Sequence, residues 1–407
     1  MEYVLPAEQE FFPLDEELKL LPGKLTPREH ESLVRLSGWM PFEKAVELME
    51  EVLGVEVSKI VAQNYTEAAG AAYVVLQEEE VAWLEEKMPE PKEEVDMLQI
   101  SADGAMVPLL HGIWAEVRTL VVGEVQSRKL ANGEKEVHTR HLSYFSRKVS
   151  AQEFQRQALV EIQRRGVERA QALAAVMDGA DWEQGFVDFH CPQALRILDF
   201  AHAAEHLNAI GEFLHGEHTP ESQTWLKDQT HRLKHEGPDP LLLELTELQH
   251  QQPQAEILSS NLAYLKKRKE QMQYPRFQAL GWPIGSGAVE SGNKLVVQAR
   301  LKGSGMHWAE SNVNPMLAIR NILCSGRWRE EWPRMESKLR LLAQQRHRQR
   351  HRFHHPLPPT SRVARALQGD FDPLPTDLPA PSKPRNNSWR NFKHGKALFQ
   401  RSTPPKL

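Results

Sequence analysis

Leu98-Gln-Ile-Ser-Ala-Asp103-Gly-Ala-Met-Val107 alternates apolar and polar residues and breaks at Gly104. A period of two marks a strand with one covered face. The pattern returns at Trp114-Ala-Glu-Val-Arg-Thr-Leu-Val-Val122 and from Val137 to Phe145, with short connections. Three strands joined in this way predict an antiparallel meander. Phe154 to Gly166 reads as a helix with Leu159 and Ile162 on one side. An apolar run from Ala170 ends at Met177, before Asp178-Gly179-Ala180-Asp181, and Leu195-Arg-Ile-Leu-Asp199-Phe200 is a further short strand. The order β-β-β-α-β-loop-β predicts a mixed α/β core, an antiparallel meander joined to a parallel βαβ edge.

In such a sheet the first and fourth strands are neighbours. Asp103 then lies at the end of one and Asp178 just past the other, where ligands of α/β sheets collect. A third carboxylate comes from Trp282-Pro-Ile-Gly-Ser-Gly-Ala-Val-Glu290-Ser-Gly-Asn-Lys294, a tight Pro/Gly lead-in followed by helical spacing toward Arg300 and Lys302. Alone, Glu290 is a carboxylate in a first helical turn, favoured by the helix dipole. Alone, each Asp-Gly is more often a turn than a ligand. Together, Asp103, Asp178 and Glu290 would repel one another, and divalent cations relieve that repulsion. The expected set is two Mg²⁺ (or Mn²⁺) ions, held by these three and serving in-line displacement at phosphorus. Asp199 and His202 are placed to order the site beside Asp178. Asn293, Lys294, Gln298, Arg300 and Lys302 would hold phosphates of a bound strand, unless they are merely solvated helix positions. Trp308 would stack on an unpaired base or, as is commoner for a Trp opening an amphipathic helix, belong to the core.

Outward from this core, residues 1–94 read as a helical domain. Thr26-Pro-Arg-Glu29 has the form of a capping box with Pro at the first helical position. Helices beginning near Pro41 and Ser58 follow, with Gly54 between them. This spacing allows a helix-turn-helix DNA reader or three packed helices without a ligand. Glu78 to Pro91 reads as a charged helix that links or dimerises. Residues 95–201 carry the strands, 202–281 read as all-helical with Pro220, Pro238 and Pro240 as breaks, and 282–340 hold the Glu290 helix and a further helix. The net charge of −5 hides an asymmetry: residues 341–407 hold 13 Lys and Arg against 3 Asp. A basic, Pro-rich, disordered tail is the expectation, either phosphate-binding or simply solvated. No run of about 18 apolar residues suggests a membrane span. No signal peptide is apparent, and two distant cysteines argue against disulfides, so a cytoplasmic setting is expected. His202-Ala-Ala-Glu205-His206 also fits the H-x-x-E-H pattern of zinc hydrolases, with two histidines on one helix face.

Taken together, Ser101-Ala-Asp103-Gly-Ala-Met-Val107, Asp178-Gly-Ala180, Leu198-Asp199-Phe-Ala-His202-Ala-Ala-Glu-His206-Leu207 and Gly285-Ser-Gly-Ala-Val-Glu290-Ser-Gly-Asn-Lys294 resemble the DDE transposases of bacterial insertion sequences, most nearly the Kra type on the Mutator-like branch. Arg300-Leu-Lys302-Gly-Ser-Gly-Met-His-Trp308 strengthens the likeness, and Trp389-Arg-Asn-Phe-Lys393 echoes it. The resemblance implies an RNase H-like core, a helical insertion ahead of the Glu-bearing helix, and Mg²⁺-dependent cutting and joining of DNA at inverted-repeat ends. It assigns the triad to Asp103, Asp178 and Glu290 and an Asp-x-x-His element to Asp199 and His202, with Asp181 close enough to leave the second position open. It implies transposon ends and target DNA as partners, a homo-oligomeric synaptic complex, and a nucleoid-associated location. A non-catalytic DNA-binding regulator of the same descent is the alternative. Relatives often carry a cysteine pair upstream of the Phe11-Phe-Pro-Leu-Asp15 segment, which has no counterpart here. That departure bears on end recognition, not on the triad.

Overall fold

Strands β1 (Met97–Pro108), β2 (Trp114–Lys129) and β3 (Lys135–Arg147) run as an antiparallel meander, and β4 (Ala172–Met177) and β5 (Leu195–Leu198) add parallel strands on the other side of β1. The five make one mixed sheet in the order β3-β2-β1-β4-β5. The computed structural model describes residues 21, 23–87, 89, 95–129 and 135–354. The chain divides into a compact unit, Met1–His347, and a second unit, Arg348–Leu407. The second unit is described only by the end of the last helix, so the tail, its Trp389–Lys393 motif and the Phe11–Asp15 segment lie outside the described residues.

Two expectations are corrected within the sheet. Asp103 stands inside β1 rather than at its end, because the alternation continues through Gly104 to the buried Ala105 and Val107. The link between β4 and β5 is not a loop but a helix, α6 (Asp181–His190). One face of the sheet (Leu98, Ile100, Leu120, Phe145) packs on α4 (Ala151–Gln157), α5 (Leu159–Arg164) and α6 through Phe154, Ile162, Phe186 and Val187. Each such side chain, fully buried, contributes about 1.5–3 kcal/mol.

The other face is shared. Over β4 and β5 lie the helices α7 (Phe200–His215), α8 (Pro220–Glu236), α9 (Pro238–Gln251), α10 (Glu256–Lys267) and α11 (Tyr274–Ala279). Pro220 and Pro238 open α8 and α9, where a missing N–H costs nothing. Over β1–β3 lies α12 (Gly287–Gly292), which continues through a π-helical turn (Asn293–Gln298) and a last α turn (Ala299–Leu301). Gly292 permits this approach: a Cβ there would stand 2.8 Å from Val121 and 3.1 Å from Tyr144.

Helix α13 (Glu310–Cys324) closes the outer edge of β3. Asn321 accepts from Ser146 N at 3.1 Å and donates to Ser146 O at 3.2 Å. Seven residues earlier, Asn314 does the same for Lys148 at 2.7 and 3.1 Å, and Ser325 accepts from Tyr144 N at 3.0 Å. An edge strand's outward N–H and C=O groups need partners, and here side chains supply them.

The N-terminal helices are α1 (Pro27–Trp39), α2 (Phe42–Leu53) and α3 (Lys59–Lys87). Thr26 and Glu29 form the expected capping box, and Gly54 ends α2 in the left-handed region. The charged stretch from Glu78 is helical as expected as far as Lys87, where it forms the second half of α3 and is ion-paired within the unit; residues 88, 90 and 91 lie outside the described residues. Glu80 pairs with Arg334 at 2.9 Å and Arg164 at 3.4 Å, and Glu85 with Arg156 at 2.9 Å. The middle of α3 (Ala69, Ala72, Tyr73) packs on Ala318, Ile319 and Ile322 of α13 and on Trp328 and Trp332 of α14 (Trp328–His354).

Candidate active site

β1 and β4 pair in parallel with Met97 opposite Ala172 and Ile100 opposite Ala175. Carried three residues further, the same register sets Asp103 at the level of Asp178, just beyond the last paired residues. Adjacent strands lie about 4.8 Å apart. Asp181, by contrast, is the exposed first residue of α6 and pairs with Lys267 at 3.2 Å. Asp103 and Asp178 thus share the floor of a cleft of about 670 Å³, walled by Glu116, Trp182, Glu183 and His202, and by Tyr264 and Arg268 of the helical segment.

The Asp103 carboxylate is fixed at both oxygens. Gly104 N donates to Oδ1 at 2.6 Å and Asn293 Nδ2 to Oδ2 at 2.8 Å. Burial lifts its pKa above the ordinary value; the two hydrogen bonds oppose the rise, and Glu290 and Glu116 add to it. Asp178 is pushed up to about 6, first by burial and next by the charge of Asp103, while His202 pulls it down. Glu183 is pushed up to about 8 by burial and then by Asp178. Five acidic groups, Asp103, Glu116, Asp178, Asp181 and Glu183, therefore line this cleft, against Lys267 and Arg268 from the helical segment.

Asp199 caps α7, its Oδ2 accepting from His202 N at 3.0 Å. Its Oδ1 accepts from Ser286 N at 2.7 Å, and Phe200 N donates to Ile284 O at 2.9 Å. The Pro/Gly lead-in is thus pinned to the end of β5, which decides where the Glu290 helix begins. Glu290 itself is exposed, 4.0 Å from Lys294, and lies on the flank of Asp103 outside the cleft lining. Among the described residues, no three His, Cys, Asp or Glu side chains stand close enough to hold one ion. The structure therefore brings two of the three expected carboxylates together and leaves the third beside them.

The other expected residues fall into two groups. Lys294 and Lys302 are exposed and Gln298 is half-buried. Arg300 and Trp308 are instead built into the core. Arg300 is 1% exposed, donates to Ser37 O at 2.8 Å, and lies between the rings of Phe42 and Trp308. Trp308 donates to Leu301 O at 3.0 Å. Neither offers a surface to a nucleic acid. Asn293 is buried and faces Asp103 rather than solvent. In the H-x-x-E-H stretch, His202 Nδ1 meets Glu205 at 3.3 Å and His206 Nδ1 donates to Asn261 at 2.7 Å. The two rings are 5.1 Å apart, and the second is occupied structurally.

Glu116, Trp182, Glu183, Tyr264 and Arg268 were not legible as site residues. Only Glu183 left a trace, as an acidic residue in the first turn after Asp178-Gly179-Ala180. Two carboxylates raised by burial and by neighbouring carboxylates form a donor pair that suits a hard divalent cation, which takes one or two carboxylates and completes its shell with water and phosphate oxygens. No protein-family model matches this chain, and no curated protein matches it.

Proposed function

We propose that the chain is a DDE-type transposase, a polynucleotidyl transferase that cuts and joins DNA at inverted-repeat ends. The observation that carries this reading is the level placement of Asp103 in β1 and Asp178 just past the end of the adjacent parallel β4, with the Glu290 helix tied to Asp103 through Asn293. The strand order supports an RNase H-like core, and helices α7–α11 correspond to the insertion that precedes the Glu helix.

In this reading Asp103 and Asp178 would hold Mg²⁺ or Mn²⁺, with Glu290 and a second ion completing the set on substrate binding. The cation supplies Lewis-acid charge at the phosphoryl oxygens. The chain's own residues do the rest. Asn293 orients Asp103. Asp199 anchors the lead-in to the Glu helix and fixes the backbone of His202. His202 stands beside Asp178 in the cleft wall. Lys294 and Lys302 stand exposed on the Glu290 helix and at its end, where duplex phosphates would contact them. DNA ends and target are the proposed partners, in a homo-oligomer that pairs two ends.

The test is strand transfer in Mn²⁺ on duplexes carrying the genomic sequence that flanks the coding region. Asp103→Asn, Asp178→Asn and Glu290→Gln should each lower the rate at least about a thousandfold with the fold retained by circular dichroism. Full activity in any one of them rejects the role assigned to that residue.

A further inference from the structure

The turn that carries Asp178 is held by the helical segment, from a part of the chain far away in sequence. Tyr264 Oη donates to Asp178 O at 2.5 Å. Arg268 donates to Gly179 O from Nε at 3.0 Å and also from Nη2. From the other side, Glu183 Oε2 accepts from Gly179 N at 2.9 Å and Ala180 N at 3.1 Å. Both carbonyls and both N–H groups of this short turn are therefore tied, and the Asp178 side chain is left to face the cleft.

The tie is costly to build, which argues that it is used. Arg268 is 5% exposed, and its nearest carboxylate, Asp181, is 3.9 Å away. A buried guanidinium spent on a backbone carbonyl is expensive unless the geometry matters. Its charge sits 3.9 Å over the Tyr264 ring, which stacks at 3.9 Å on His206. His206 is in turn anchored on Asn261. Gly179 has φ +82°, and a Cβ there would stand 2.4 Å from Arg268 Nε, so only glycine fits beneath the clamp.

We infer that Tyr264 and Arg268 are positioning residues that hold the Asp178-Gly179-Ala180 turn so that its carboxylate is presented beside Asp103. The helical segment is then a working part of the site and not an appendage, and the otherwise unused His206 is its buttress. The inference rests on the reading of Asp178 as a reacting-site carboxylate.

The test uses the full chain with Tyr264→Phe, Arg268→Lys and, as a rim control, Lys267→Ala. Tyr264→Phe removes one oxygen and Arg268→Lys keeps the buried charge, so both retain the fold, checked by circular dichroism. Amide hydrogen exchange is read at residues 178–182 and in β4, and Mn²⁺ binding by the paramagnetic resonance of the free ion. The clamp predicts faster exchange confined to 178–182 and Mn²⁺ affinity lowered about tenfold or more, as for other residues that orient ligands from behind. Lys267→Ala should change neither. Unchanged exchange in both variants overturns the clamp. Faster exchange with unchanged Mn²⁺ affinity overturns its positioning role. A parent chain that binds no Mn²⁺ rejects the metal-bearing reading of the site instead, and the exchange rates still decide whether the turn is clamped.

Discussion

Asn293 donates to Asp103 Oδ2 at 2.8 Å across 190 residues of sequence. This bond joins the sheet to the helix that carries Glu290. It forms within the π-helical turn Asn293–Gln298, and such turns are frequent at functional sites. The Asn293 Oδ1 atom is buried without a hydrogen-bond partner among the described residues, so the amide is spent on Asp103 alone.

Asn293→Asp exchanges that donor for a like charge. Stability at pH 7 without metal should fall by about 1–3 kcal/mol, the range for a buried polar group deprived of its partner. The loss should shrink at pH 5, where one carboxyl takes up a proton. Urea unfolding at the two pH values checks this; equal losses at both would show that charge is not the cause.

Asp178 holds its proton up to a pH of about 6 when folded, against an ordinary value of 3.8. The folded state binds that proton more tightly than the unfolded state, so stability falls as pH rises from about 4 to about 6 and stays lowered above. Discounted for solvent screening of a partly exposed group, the effect is on the order of 1–2 kcal/mol. Thermal unfolding in EDTA should show this decline in the parent and a flatter profile in Asp178→Asn. MnCl₂ at pH 7 should restore the parent and leave the variant unmoved.

Arg300 and Lys302 stand two residues apart and should behave oppositely. Arg300→Ala removes a buried side chain packed between Phe42 and Trp308 and should cost about 2–4 kcal/mol. Lys302→Ala should change stability by less than about 0.5 kcal/mol. If the Glu290 helix contacts DNA phosphates, Lys302→Ala should also reduce the salt dependence of binding by about one charge. Chemical denaturation and binding titrations across salt concentrations separate the two.

His30 is 3% exposed, stacks at 4.5 Å on Tyr65, and has no hydrogen-bond partner at either ring nitrogen among the described residues. Burial pushes its pKa down to about 4 from 6.5. The neutral ring is favoured in the folded state, so its stabilisation is complete above pH 6.5 and is lost as pH falls toward 4. The loss is on the order of 3 kcal/mol. His30→Phe should leave stability at pH 7 within about 1.5 kcal/mol and remove that part of the acid sensitivity, as unfolding midpoints from pH 7 to 4 would show.

The sheet was legible because alternation is local and its order follows from connection lengths. Asp178 was legible for the same reason, as the first polar residue after an apolar run. Asp103 was assigned to a strand end because Gly104 looked like a break, yet Glu116 on the neighbouring strand lies against Gly104 and the strand continues. Helix α6 was hidden by the turn chemistry of Asp178–Asp181 and by a length of only 10 residues. Tyr264 and Arg268 reach the site across 86 and 89 residues, and no local pattern encodes such contacts. Arg300 looked like surface chemistry because its burial depends on Phe42 and Ser37, more than 250 positions away, whereas the core placement of Trp308 was the commoner reading of a Trp opening an amphipathic helix.

The side chains with which Asn314 and Asn321 imitate a neighbouring strand have a bearing on how copies of this chain meet. Where the rim is saturated, from Tyr144 to Lys148, the sheet cannot be lengthened by a visiting polypeptide, so self-association has to use other surfaces there. A product interrupted before residue 310 would keep that rim bare, and its fate should be aggregation by edge-to-edge addition.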